Sequence, residues 1–142
     1  MSARRPAPPS GMAPPVTATL PDGVVLELRP LAAEITERHL HRHPEDGDRY
    51  GDLAREWGIH DNQHLVNWAV LDVRGVLSFP EQLRWLANVL DSRGYPLANL
   101  ADNLQTAAEV MRERVTSDHT TALADTLEAG AELGRGLGAP PS

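Results

Sequence analysis

Cysteine is absent from the chain. Disulfides, thiol nucleophiles and thiolate metal sites are therefore excluded, and a cytoplasmic home is the default expectation. Long apolar runs are missing too, since none approaches the roughly 20 residues that a membrane-spanning helix needs. Basic clusters are confined to Arg4-Arg5, which Pro and Ala follow instead of an apolar stretch, so no secretory signal is expected. With a formal charge of −7 and no patch of the kind that phosphate contacts require, the chain is not expected to bind nucleic acid. No Gly-rich phosphate loop follows a strand, and Ser10, Ser78, Ser92 and Ser117 lack a nucleophile-turn context. Catalysis accordingly finds little support and a non-enzymatic role is expected. No tandem-repeat period is visible.

What is there fits one domain, since 142 residues suffice to bury a real core. Residues 1–15 hold five prolines and read as a flexible tail. Between residues 16 and 28 two short β-favouring runs flank Pro21-Asp22-Gly23, the chemistry of a hairpin turn. An isolated hairpin is marginal in water, so this one should lean on the helices that follow.

Helical patterns occupy residues 31–133. The first, Leu31 to His43, has a thin stripe (Leu31, Ile35, Leu40), expected at the periphery and ended by Pro44. His39 and His43, four apart at its end with Glu45, Asp46 and Asp48 near, fit either a metal clasp or solvated imidazoles near a helix C-terminus. The segment 44–48 reads as a loop, followed by a short helix, Arg49 to Trp57, with Gly58 as a break. A central helix, Ile59 to Val73, comes next. Ser78-Phe79-Pro80-Glu81 is a capping-box pattern that starts a helix running to Arg93. The clearest amphipathic helix spans 97–116, with Leu100, Leu104 and Met111 expected in the core. A last helix, Thr120 to Leu133, gives way to a flexible tail over 134–142. The fold class is all-α, a bundle of five to six helices with a short N-terminal hairpin.

The stretch Trp57 to Trp68 carries the most chemistry. As a helix, positions 57, 61, 64 and 68 share one face, with two indoles flanking a carboxylate and an imidazole. Such a face is either a pocket wall or a buried polar pair. Asp61 and His64, one turn apart, are placed to hydrogen-bond, to orient a ligand or to fix helix register. Trp57, Trp68 and Trp85 read as core or pocket walls.

In this region the chain resembles the globin-like phycobiliproteins and their bacterial relatives. Those chains carry Cys-x-x-Asp on a helix, then aromatic positions and a Leu, a Gly-containing loop, a further helix and a Gly-x-Pro opening of a long helix. The matching residues here are Gly58-Ile59-His60-Asp61, then His64-Leu65, Val73-Arg74-Gly75, Phe79 to Leu90, and Gly94-Tyr95-Pro96. The similarity covers about Tyr50 to Val115, and helical caps of cobalamin-binding sensors and non-haem globin domains of stress regulators share its pattern. Gly58 stands at the bilin-attaching Cys position and His60 at a neighbouring Arg position, so covalent attachment is excluded. Asp61 matches the Asp that holds pyrrole nitrogens. The resemblance implies a globin-like sensory or signalling module that holds a bilin or haem non-covalently, with Trp57, His60, Asp61, His64, Trp68 and Trp85 as the binding residues. The alternative is an interaction module whose hairpin, helix surfaces or tails recruit a protein partner or a second copy.

Overall fold

Two short strands pair around the Pro21-Asp22-Gly23 turn, β1 (Thr17–Thr19) antiparallel to β2 (Val25–Glu27), with Ala18 opposite Leu26. Strand alternation puts Ala18 and Leu26 on one buried face, where the hairpin leans on the helices as expected. The computed structural model describes residues 12–138.

α1 (Leu28–Arg42) begins earlier than the pattern suggests, because Pro30 falls within the first turn, where its missing N–H costs nothing. Its inward row is Leu28, Ala32, Ile35, Thr36 and His39, at spacings of three, four and one, and it packs on α3 and α5. The expected peripheral placement is thus corrected: polar Thr36 and His39 belong to the buried row, which a purely apolar reading leaves out.

The loop expected over 44–48 is a helix, α2 (Pro44–Tyr50). Proline at its first position is pre-set for helix, and Glu45 and Asp46 in the first turn complement the positive end of the dipole. Gly51 (φ 60°) closes it, and α3 (Asp52–Val73) then runs unbroken through Gly58. The break expected at Gly58 is absent because that glycine serves close packing. A Cβ there would lie 2.7 Å from Thr36 Cγ2, so its absence lets α1 and α3 approach.

α4 (Phe79–Ser92) starts at the expected cap, with Ser78 Oγ accepting from the Glu81 N–H at 3.4 Å. Asp72 at the end of α3 also accepts the Phe79 N–H at 2.8 Å, tying the two helices together. α5 (Leu97–Arg114) follows, with Leu100, Leu104 and Met111 buried as expected. α6 (Thr120–Gly138) continues past Leu133, so residues 134–138 are helix rather than tail, and Gly134 is buried. Residues 139–142 lie outside the described residues, as do 1–11 of the N-terminal tail.

The result is an all-α domain with a short hairpin. Phe79, Leu83, Leu86, Leu104, Met111, Leu123 and Leu127 form a dry core from α4, α5 and α6. None of the described helices is long and apolar enough to cross a membrane.

Candidate functional site

Beside the apolar core the helices form a partly open cavity of about 100 Å³, lined from α1 through α5. Leu40, Trp57, Leu65, Leu86, Leu90 and Leu100 supply apolar wall. His39, Asp46, Asp61, Asn62, Tyr95 and Asn103 supply polar groups. A mostly apolar wall with a few converging polar side chains is the usual make-up of a ligand site.

Its best-defined polar group is the His39–Asp46 pair. His39 stands on α1 and Asp46 in the first turn of α2, and both are buried, at 6% and 5% exposure. Asp46 Oδ2 accepts from His39 Nε2 at 2.8 Å and from the Tyr95 hydroxyl at 2.5 Å, and Oδ1 accepts from Asn99 Nδ2 at 3.0 Å. Burial alone would raise the Asp46 carboxyl, but the hydrogen bonds from His39, Tyr95 and Asn99 outweigh it and hold it below its ordinary value. The same burial, reinforced by the Asp46 charge, pushes the Tyr95 phenol far up, so it remains a donor. An ionised Asp46 requires the proton of His39 to sit on Nε2. In the neutral ring Nδ1 is then a lone-pair acceptor. That Nδ1 is buried and has no hydrogen-bond partner among the described residues.

A second polar layer fixes the neighbouring wall. Asn62 of α3 and Asn103 of α5 exchange reciprocal amide hydrogen bonds of 3.1 and 2.7 Å, and Asn62 also donates to Thr36 Oγ1 at 3.0 Å. The Thr36 hydroxyl in turn donates to the Ala32 carbonyl at 2.8 Å. The Thr36 and Tyr95 hydroxyls are therefore engaged, and neither is set up as a nucleophile. The arrangement is suited to holding a small molecule between an indole and leucines, with His39 beside it.

The six residues singled out from sequence divide between two places. Trp57 and Asp61 line the cavity, whereas His64, Trp68 and Trp85 line a separate groove on the surface. His60 lies between them, half-buried, with its ring 5.1 Å from that of His64. The shared helical face is real, but 57 to 68 spans about 16 Å of helix, too long for one small site. The expected Asp61–His64 pairing is also replaced. His64 Nε2 donates to the Met12 carbonyl at 2.8 Å, and Asp61 lies 3.3 Å from His60 Nδ1. Trp85 is 47% exposed, so it is a groove wall and not core.

Sequence reasoning does not find the roles of Tyr95 and the asparagines, and it groups His39 with Asp46 only as part of a metal clasp, not as a buried hydrogen-bonded pair. Instead the His39 and His43 rings stack at 4.8 Å, while His43 reaches Glu45 at 2.7 Å and Asp102 at 3.0 Å. Among the described residues no three His, Asp or Glu side chains are grouped to hold a metal. The asparagines did have a signal: Asn99, Asn103 and Thr106 repeat at helical spacing, and all three are buried in α5.

Fold and site together define a six-helix domain, among the described residues, built around a small mixed cavity. No family model, curated protein or solved structure matches the chain.

Proposed function

We propose that this protein is a non-enzymatic ligand-binding module whose cavity holds a small molecule with an apolar ring or chain and one hydrogen-bonding group. The observation that carries the reading is a mostly apolar cavity with His39, whose buried Nδ1 has no partner among the described residues, in its lining. Native proteins leave few buried polar atoms unsatisfied, because each costs about 1–3 kcal/mol. A ligand donor such as a hydroxyl would satisfy this one, while Trp57, Leu86 and Leu90 take its apolar body.

Size narrows the ligand. Sites for drug-sized molecules run from about 300 to 1,000 Å³, and a dry cavity of roughly 150 Å³ accepts benzene. At about 100 Å³ the cavity favours a ligand of single-ring size or smaller over a bilin or haem. The globin-like sensory role implied by the resemblance is kept as a module that senses a small molecule.

Titration of the full chain with phenol tests this. Saturable quenching of Trp57 fluorescence together with a raised melting temperature is expected, and Leu90→Trp, which fills the cavity, should abolish both. Absence of binding to the wild type, or equal binding to the filled variant, would overturn the proposal. A visible band appearing on addition of biliverdin or haem would instead return the ligand to the tetrapyrrole class.

A further inference from the structure

The groove that took His64, Trp68 and Trp85 away from the cavity has a proline-rich segment of the chain as one of its walls. Residues Met12 to Pro15 form that wall, His64, Asn67, Trp68, Glu81, Gln82 and Trp85 line the rest, and His64 and Gln63 hold the segment in place. Two hydrogen bonds fix the segment: His64 Nε2 donates to the Met12 carbonyl at 2.8 Å, and Gln63 Nε2 to the Pro15 carbonyl at 3.2 Å. The accepting carbonyls are three residues apart. In a polyproline II helix three residues make one turn, so those carbonyls fall on one edge. Local chemistry requires that conformation, since Pro14 and Pro15 fix their own φ, and a residue preceding proline is driven to extended backbone, here Ala13 and Pro14.

The other walls match the segment. Trp68 and Trp85 meet edge to face, with centroids 6.4 Å apart and planes at 81°, leaving a slot walled by indole. The His64 ring lies 5.6 Å from Trp68 and supplies a donor beside that slot. Aromatic walls for proline rings, with side-chain donors for the bare carbonyls between them, are how proline-rich segments are generally read. About 720 Å³ stays open between the segment and the walls that carry the indoles.

We infer that this surface is a recognition groove for an extended proline-rich peptide, and that Met12–Pro15 is its occupant in cis, a strap that a partner's proline-rich segment displaces. Tethering gives the strap a high effective concentration, so it suppresses weak competitors. The partner is defined by proline at successive positions and by two free carbonyls three residues apart.

The test uses the full chain labelled with nitrogen-15 and a synthetic peptide of residues 11–16, read at the three indole N–H resonances. The peptide should shift the Trp68 and Trp85 signals saturably and leave Trp57 in place. A P14G/P15G chain, its strap loosened, should bind about tenfold more tightly if the strap is closed roughly nine-tenths of the time. His64→Ala should weaken binding in the loosened chain, and by less in the wild type, where the same change also frees the strap. The inference is overturned if neither chain responds at millimolar peptide, or if a peptide with both prolines replaced by glycine binds equally well. It is also overturned, in favour of arm exchange between two copies, if the same indole shifts grow with protein concentration alone and sedimentation shows a dimer.

Discussion

α5 has two buried faces of opposite character. One carries Leu100, Leu104, Ala108 and Met111 into the apolar cluster shared with α4 and α6. The other carries Asn99, Asn103 and Thr106, whose partners are Asp46, Asn62 and Arg42. The first face needs only volume and shape, and hydrophobic side chains of similar size would serve it. The second needs particular atoms at particular distances, because each amide left alone is a buried polar group in a poor solvent. The cavity lies where the two faces meet, with Leu100 of the first and Asn103 of the second both on its wall.

The largest effect should come from the dry face. Leu104→Ala is expected to cost about 2–5 kcal/mol in denaturant unfolding, since Leu104 is fully buried and its neighbours refill the space only in part. A cost well below this range would mean that the apolar face is loosely packed, and the contrast between the faces would fail.

On the polar face, Asn103→Leu should cost about 1–3 kcal/mol by stranding the Asn62 amide. The double variant Asn62→Leu/Asn103→Leu should cost less than the sum of the two single changes. Strict additivity in that cycle would show that the amides act independently. Gly58→Ala, which sets a methyl 2.7 Å from Thr36 Cγ2, should cost about 1–3 kcal/mol. Combining it with Thr36→Ser should recover part of that loss.

How much of this was legible in the sequence follows the same division. The dry face could be read from period alone, because Leu100, Leu104 and Met111 repeat at helical spacing. The Ser78 cap was legible because its chemistry is local. The cavity was not, since His39, Asp46, Tyr95 and Asn99 come from three helices and the link before α5, and no local rule joins them. The pairing of Asp61 with His64 failed for a related reason. Spacing on one helix says which residues share a face, but not what the rest of the chain lays against it, and here Met12 takes His64. Gly58 misled in the same way, since a glycine inside a helical pattern signals either a break or a close neighbour, and Thr36 is remote in sequence.

A smaller effect is expected from pH. The Asp46 carboxyl is depressed in the folded state, so its contribution is complete above the unfolded value of 3.8 and is lost as pH falls through the folded value. Wild type should therefore destabilise below about pH 4 more steeply than Asp46→Asn, and parallel profiles would contradict the assignment. His43 runs the other way. Burial lowers its pKa, but Glu45 and Asp102 outweigh that and raise it, so its contribution is present below the unfolded value of 6.5 and fades as pH rises through the folded one. The smallest effect should be that of Trp85→Ala, within about 0.5 kcal/mol, because the indole is half exposed on a groove wall.

The central claim is that the cavity beside His39 receives a ligand, and the most direct measurement is the nitrogen-15 resonance of His39 Nδ1 as the full chain is titrated with phenol. A hydroxyl donating to that lone pair should move the Nδ1 signal saturably, in step with quenching of Trp57, and Leu90→Trp should remove both responses. An Nδ1 signal that stays fixed while phenol saturates the protein would place binding elsewhere and contradict the claim.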